Sequence, residues 1–203
     1  MEPPHTANEQ ADRPFTIAQV NLTRNLIVDA AVDILGSFGL GDMTMRRVAT
    51  HLGVAPGALY WHIANKQELL SAIAERILAP VLVDGADTNP TAYSRELRDA
   101  LLSHRDGAEI VASSFAQPGS TLRHTLEARL MATLTLVSAD PDSAATGASA
   151  LIHLLLGACV QAQSSQQLAE LAGASEESSR SAAREAIDDQ VALLIAGITR
   201  TGR

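Results

Sequence analysis

The stretch TMRRVATHLGVAPGALYWHI, residues 44–63, decides the fold that the sequence predicts. Thr44 suits the N-cap of a short helix over residues 45–52, and Gly53 ends that helix. Pro56 fits the first turn of another short helix, where its missing N–H leaves no hydrogen bond unmade. Two short helices joined by a tight turn that contains glycine are typical of a helix-turn-helix.

The segment before this motif predicts a longer helix that would support it. Apolar side chains within residues 26–38 recur at spacings of three and four, which places them on one helical face. Thr23 suits the N-cap, and Gly39 suits the C-terminal stop because glycine reaches positive φ without a Cβ clash. We therefore expect a disordered tail over residues 1–20 and a three-helix head over residues 21–68.

The remainder of the chain, residues 69–203, is predicted to form a helical bundle. Apolar residues make up 46% of the sequence but aromatic residues only 3%, a balance that favours helix over sheet. A helix over residues 66–79, closed by Pro80, would join the head to this bundle. Apolar residues recur at helical spacing in four further segments, at residues 97–102, 122–134, 152–160 and 187–198. The predicted fold class is all-α, with a helical body behind the head.

The net charge of −8 is unevenly divided along the chain. Residues 13–80 carry six Arg or Lys and five Asp or Glu, while residues 81–203 carry nine and fifteen. A nearly neutral head can still bind DNA if its few cations converge on phosphates. The charge distribution therefore permits DNA binding without proving it.

Several functional classes receive no support from the sequence. The single Cys159 excludes a disulfide within one chain, and the N-terminus lacks the apolar core of a secretion signal, so we expect a cytoplasmic protein. The apolar run over residues 144–160 is interrupted by polar residues and is shorter than the roughly 20 residues that span a bilayer. We expect a buried helix there and no membrane partner.

The sequence also gives no sign of catalysis. It contains no recognisable nucleophile–base pair, metal-ligand cluster or phosphate-binding loop. His104, Arg105 and Asp106 match a triplet of kinase catalytic loops, but no glycine-rich loop accompanies them, so we expect a structural turn. The chain is therefore expected not to be an enzyme and to use no cofactor or metal.

The outward-facing residues of the two short helices are the candidate DNA-binding residues. Tyr60, Trp61 and His62 would expose apolar surface unless a partner covered them, and their polar tips can donate to phosphate oxygens. Alternatively, Tyr60 and Trp61 could belong to a core between head and body. The full candidate set is Thr44, Arg46, Arg47, Pro56, Gly57, Ala58, Tyr60, Trp61, His62 and Lys66.

These residues also carry a resemblance to a known family. Residues 44–49 and 52–54, followed by residues 59–62 and 65–66, resemble the DNA-binding head of the TetR (tetracycline repressor) family. The resemblance implies that the head reads double-stranded DNA. It also implies that the body binds a small-molecule effector.

The resemblance extends into the body. Residues 100–108 resemble the corresponding segment of the family, and His153 followed by Gly157 fits its dimerisation helix. The family is homodimeric, so the resemblance implies a homodimer built mainly by helices near residues 143–168 and 181–199. A ligand pocket is expected in each body.

The same resemblance indicates which effector to expect. In the tetracycline repressors a histidine holds a magnesium–drug chelate and a glutamate approaches it, and the matching positions here are about Val111 and Gln161. Neither side chain can do that work, so we expect a mostly apolar effector that binds without metal. His153 could instead be an interface residue. The expected ligand-binding residues are Leu82, Tyr93, Leu97, Val111, Phe115, Arg129 and His153.

The sequence therefore predicts a repressor that binds a palindromic operator as a homodimer and is released by a small molecule. The helix over residues 66–79 would transmit the signal, because it touches both units. Two other classes stay open: a helical enzyme, which no motif supports, and a helical dimeric small-molecule-binding or scaffold protein without a DNA target.

Overall fold

A computed structural model of the chain describes residues 22–83, 89–138, 140–173 and 177–201. All regular structure in these residues is helical, which confirms the predicted all-α fold. The predicted tail over residues 1–20 lies outside the described residues. The helices are α1 Arg24–Phe38, α2 Met45–His51, α3 Pro56–Leu59, α4 Lys66–Leu78, α5 Pro90–Leu102, α6 Gly107–Phe115, α7 Thr121–Leu134, α8 Pro141–Leu171 and α9 Glu177–Thr201, with 3₁₀ turns at Leu40–Asp42 and Ala79–Val81.

The head consists of α1, α2 and α3, and its helix starts follow the predicted caps. The Thr23 hydroxyl accepts a hydrogen bond from the N–H of Leu26 at 3.3 Å, and the Thr44 hydroxyl accepts one from the N–H of Arg47 at 3.1 Å. Gly39 ends α1 with a φ of 78°. The buried apolar residues of the head belong to the same cluster as those of the body, and they include Ile27, Ile34, Leu35, Val48, Leu59 and Ile63.

Helix α4 connects the head to the body. Its start is a capping box: the Asn65 side chain accepts from the N–H of Glu68 at 2.9 Å, and the Glu68 carboxylate accepts from the N–H of Ala64 at 2.7 Å. Beyond this start, α4 contacts α1 of the head and both α5 and α6 of the body. A shift of α4 would therefore move the head relative to the body.

Helix α8 forms the centre of the body and contacts α5, α6, α7 and α9. Leu151, Leu155 and Cys159 lie on its buried face. By length and composition alone, this helix of 31 residues is apolar enough to cross a membrane, a test that core helices of soluble proteins also pass. Helix α9 packs along α8 and is tied to α5, where the guanidinium of Arg98 donates to Asp188.

The sequence pattern was wrong or incomplete at three places. Helix α3 ends at Leu59, so residues 60–62 occupy the turn after it rather than the helix itself. Helix α6 was not predicted, because apolar residues occupy most of its positions and therefore show no helical spacing. Helix α9 begins at Glu177, ten residues before the apolar pattern over residues 187–198 that predicted a helix there.

Candidate nucleic-acid interface and effector region

The turn after α3 presents two aromatic side chains to solvent. Trp61 is 89% exposed and Tyr60 is 52% exposed. Their neighbours in sequence, Leu59 and Ile63, are fully buried and anchor the turn in the head core. The structure therefore does not place Tyr60 and Trp61 in a core between head and body. His62 is also exposed and lies on the same turn.

The two arginines at the start of α2 differ in their surroundings. Arg46 is exposed, whereas a salt bridge of 2.8 Å joins Arg47 to the carboxylate of Asp42. The Arg47 guanidinium also lies 4.4 Å from the centre of the Phe38 ring, a cation–π contact. Arg47 is thus held within the head, whereas the Arg46 side chain extends into solvent. Thr44 serves as the cap of α2.

The remaining candidates of the head surround the exposed aromatic pair. Pro56 and Gly57 are exposed in α3, and Ala58 is half-buried. A Cβ on Gly57 would meet no atom within 4 Å, so packing inside the chain does not require glycine there. Lys66 begins α4 and is half-buried. The ten candidates lie on α2, α3, the following turn and the start of α4.

Most of the predicted ligand-binding residues lie in the core of the body. Tyr93, Leu97, Val111 and Phe115 are at most 7% exposed and belong to one apolar cluster. The Tyr93 hydroxyl donates to the carbonyl of Val81 at 2.9 Å. Burial raises the pKa of Tyr93 to about 12, so the hydroxyl stays protonated at neutral pH.

The other three predicted ligand-binding residues are less buried than these four. Leu82 is partly buried just after the 3₁₀ turn, and Arg129 donates to the carbonyl of Val83 at 2.9 Å. Both therefore lie beside Tyr93. His153 is exposed on α8, apart from this cluster, as an interface residue would be. Its spacing on a leucine-rich helix could not reveal which side of α8 faces outward.

Two grooves run between α8 and α9, and neither is lined by any of the seven predicted ligand-binding residues. The apolar groove, of about 730 Å³, lies between residues 140–154, which comprise the N-cap and first half of α8, and residues 190–198 of α9. The polar groove, of about 660 Å³, lies between residues 158–170 of α8 and residues 179–190 of α9. Gly36 and residues 102–105 also line the polar groove.

Residues 104–106 lie in the turn between α5 and α6, as predicted, and this turn joins the head to α8. Asp106 adopts a left-handed conformation with a φ of 56°. Its carboxylate accepts a hydrogen bond from the N–H of Leu40 in the head at 2.7 Å and another from the side chain of Gln167 in α8. The sequence offered no signal for Gln167, because its partner is distant along the chain.

Buried Gln163 of α8 holds the same turn. Its amide nitrogen donates to the carbonyl of His104 at 2.7 Å and to that of Leu101 at 3.2 Å. Its amide oxygen accepts from the N–H of Ala108 at 3.2 Å. One glutamine thus satisfies three backbone groups in a region away from water, a role that sequence reasoning did not assign.

The described residues contain no group of three His, Cys, Asp or Glu side chains that could hold a metal ion. Val111 is fully buried in α6, and Gln161 is exposed on α8. Burial raises the pKa of Cys159 to about 12, so its thiol is a poor nucleophile at neutral pH. Cys159 is also fully buried, as expected for a residue in the apolar run over residues 144–160.

Comparison with known proteins places the chain in a family. The family model for bacterial regulatory proteins of the tetR family matches residues 27–73, which cover most of the head. The class C tetracycline repressor of Escherichia coli is 30% identical over 162 residues, which cover 75% of this chain and 71% of that repressor. The chain belongs to the tetR family of bacterial regulatory proteins. Members of this family are transcriptional regulators rather than enzymes.

One more curated relative and two solved structures extend the comparison. The class A tetracycline repressor from transposon 1721 of Escherichia coli is 40% identical over 116 residues, so the match spans 54% of this chain and about half, 53%, of that repressor. BioQ of Mycobacterium smegmatis superposes with a TM-score of 0.76 at 36% identity, covering 89% of this chain and 99% of BioQ. A structure of BioQ with its double-stranded DNA operator has a TM-score of 0.71 and covers 88% and 98% of the two chains.

Proposed function

We propose that this chain is a cytoplasmic repressor that binds double-stranded operator DNA through its head, residues 21–68, and is controlled by a small molecule bound in its body, residues 69–203. The observation that carries the proposal is the exposure of Trp61, at 89%, beside the anchored Leu59. A tryptophan held in place but uncovered leaves a large apolar surface in water, which a partner surface would remove. The BioQ complex with its operator supports DNA as that partner.

The surroundings of Trp61 suit a duplex. Tyr60 can donate to a phosphate oxygen, and Arg46 and Lys66 can supply positive charge on either side. Gly57 leaves open space where other residues carry a side chain, so α3 can approach base edges or thymine methyl groups closely. The aromatic turn and the start of α3 therefore form the proposed reading surface.

The test is operator binding by the full-length protein at fixed salt, with DNA from beside its own gene and nonspecific competitor. We expect Trp61→Ala to lower specific affinity about tenfold or more, because it removes a central contact. Leu136→Ala is the matched control, since Leu136 is 65% exposed in the body after α7. Two outcomes would favour a helical small-molecule-binding protein without a DNA target. One is an equal loss of affinity in both variants, and the other is the absence of specific binding in the wild type as well as in both variants.

We also propose that two copies pair through α8 and α9 and bind a palindromic operator. The apolar groove between these helices is flanked by Leu193, which is 71% exposed. A Cβ on Gly157 or on Gly197 would meet no atom within 4 Å, so another helix can approach closely there. A symmetric pair would present two heads to successive major grooves, about 34–36 Å apart.

Pairing is tested by the mass of the particle in solution, measured by light scattering behind size exclusion. Leu193→Glu should turn the dimer into a monomer, because it places a charge in a desolvated interface. Leu136→Glu carries the same change at a similar exposure outside α8 and α9, and it should leave the dimer intact. A dimer in both variants would exclude this face.

The proposed effector is mostly apolar and binds without metal, near Tyr93, Leu97 and Val111. The support is the apolar cluster around these residues and the absence of a metal-binding side chain at Val111. The signal would pass through α4, whose Ser71 hydroxyl accepts a hydrogen bond from the side chain of Gln117, just after α6, at 2.8 Å. A full switch requires about 5.5 kcal/mol of differential binding between the two head positions.

The effector proposal is tested by screening apolar compounds for release of the operator, with and without EDTA. Release that is unchanged by EDTA supports a metal-free site. Release that requires a divalent ion would exclude it, and equal operator affinity with and without a bound compound would exclude control through the body.

A further inference from the structure

The polar groove between α8 and α9 is lined by more basic than acidic side chains, unlike the rest of the body. The body is acidic overall, yet three arginines line this groove, and Glu170 is the one carboxylate among its described lining residues. The arginines are Arg105, Arg180 and Arg184. Arg184 pairs with the carboxylate of Asp99 at 3.4 Å, whereas Arg105 and Arg180 lie beside Glu170. Guanidinium groups that line a cleft of about 660 Å³ favour an anionic ligand of small-molecule size.

The carboxylate of Glu170 marks where that anion would bind. The guanidinium of Arg105 lies 3.8 Å from one of its oxygens, and the guanidinium of Arg180 lies 3.8 Å from the other. The side-chain amide of Gln166 donates to Glu170 at 2.9 Å. Two guanidinium groups and one amide thus already surround a carboxylate of this chain.

The two arginine distances are longer than a charge-assisted hydrogen bond, which is about 2.7–2.9 Å. Side-chain exposures of 39% for Arg105 and 49% for Arg180 show that both guanidiniums reach water. Glu170 therefore fills the anion position loosely. A ligand carboxylate that formed shorter, paired hydrogen bonds with these arginines could displace it.

We propose that the polar groove is a second ligand site, distinct from the apolar effector region, and that it binds a small aromatic or aliphatic carboxylate in the place of the Glu170 side chain. Ala158, Ala162, Ala183 and Ala186 line the groove and leave room for the apolar part of such a molecule. Arg105 and Arg180 hold its carboxylate.

The site lies next to the connection between head and body. Arg105 precedes Asp106, whose carboxylate accepts from the N–H of Leu40 in the head. The Nε of Arg105 lies 3.3 Å from the position that a Cβ on Gly39 would occupy. A ligand that turned Arg105 would thus change a contact of the head. This consequence rests on the proposed DNA binding, whereas ligand binding in the groove does not.

The experiment measures binding of benzoate and of its neutral analogue benzamide to the full-length protein by ligand-observed NMR titration, without DNA. We expect benzoate to bind and benzamide to bind at least about tenfold more weakly, because only benzoate can pair with the arginines. Arg180→Gln should weaken benzoate about tenfold. Glu170→Gln should strengthen it, since the competing carboxylate is removed.

The control variant is Arg123→Gln on α7, where Arg123 pairs with Glu127 at 2.8 Å outside the groove. It should leave benzoate affinity unchanged, and circular dichroism should show every variant folded. Equal binding of benzoate and benzamide, or unchanged affinity in Glu170→Gln, overturns the proposal. The proposal is also overturned if the wild-type protein does not bind benzoate. This holds even if the reason is that a second copy of the chain covers the groove.

Discussion

The two tyrosines of this chain show how differently the head and the body use the same side chain. Tyr60 in the head is 52% exposed, beside an even more exposed Trp61. Tyr93 in the body is 1% exposed, and its hydroxyl donates to the carbonyl of Val81. Tyr93 has satisfied its hydrogen bond inside the chain, whereas the aromatic surface beside Tyr60 remains open to a partner.

This difference separates stability from recognition. A buried aromatic side chain contributes to the free energy of unfolding. An exposed one contributes little to it, and its apolar surface is available to be buried by a binding partner. Substitutions in the body should therefore act first on stability, and substitutions on the head surface should act first on DNA affinity. The following changes test that division, from the largest expected effect to the smallest.

The largest effect is expected where the body has no room for one more carbon atom. A Cβ on Gly107 would lie 2.6 Å from the backbone carbonyl oxygen of Leu101, which cannot move without shifting the turn between α5 and α6. Gly107→Ala should lower the free energy of unfolding by about 3 kcal/mol. Denaturant titration followed by circular dichroism measures the change.

Gly36→Ala is the matched control in the head. A Cβ there would meet no atom within 4 Å, and Gly36 lies inside α1. Alanine should stabilise the helix by roughly 0.5–1 kcal/mol because it restricts the unfolded chain. If both variants lost stability equally, the packing contrast between the two positions would be refuted.

The next effect distinguishes the two arginines of the head. Arg46→Ala should weaken operator binding about tenfold and leave stability nearly unchanged, since Arg46 is exposed. Arg47→Ala removes the contacts with Asp42 and Phe38, so it should lower stability by roughly 0.5–1 kcal/mol and affect binding less. Parallel operator titrations and thermal unfolding scans separate the two outcomes. A larger binding loss in Arg47→Ala would reverse this assignment.

The smallest energetic effect concerns the two tyrosine hydroxyls. Tyr93→Phe should lower the free energy of unfolding by about 1 kcal/mol, because the carbonyl of Val81 loses its hydrogen bond away from water. Tyr60→Phe should leave stability unchanged and weaken operator binding if the hydroxyl contacts phosphate. Chemical denaturation and operator titration of both variants provide the comparison.

Alkaline pH gives an independent measure of the Tyr93 environment. Burial raises its pKa to about 12 in the folded protein from 10 in the unfolded chain, so the folded state holds the proton more tightly. The resulting stabilisation is complete below pH 10 and is lost as pH rises from 10 toward 12. The difference in stability between wild type and Tyr93→Phe should therefore shrink over that range. A difference that stays constant with pH would contradict the burial of the hydroxyl.

The sequence predicted local features of the fold well. The caps at Thr23 and Thr44 occur where the residue types indicated, because a cap depends on a hydrogen bond within three residues. The apolar spacing of α1 likewise predicted the middle of its buried face, but Leu26 and Phe38 at its two ends are 37% and 54% exposed. These signals are contained in short stretches of chain.

The candidate site was predictable in part. Tyr60 and Trp61 are exposed because the buried Leu59 and Ile63 on either side of them face the core. The different surroundings of Arg46 and Arg47 were not predictable, because the ring of Phe38 reaches Arg47 only after α1 and α2 have packed. Adjacent residues of the same type can therefore carry different roles.

By itself, the sequence determined the helical character of the chain, the helix-turn-helix and the family to which the protein belongs. Only the tertiary structure decided which side of α8 faces outward, how Gln163 and Gln167 hold the turn before α6, and that Glu170 lies between two arginines. Helix formation and capping depend on neighbours along the chain. The polar contacts of α8 join residues some 60 positions apart, and such pairs come together only when apolar burial has packed the helices.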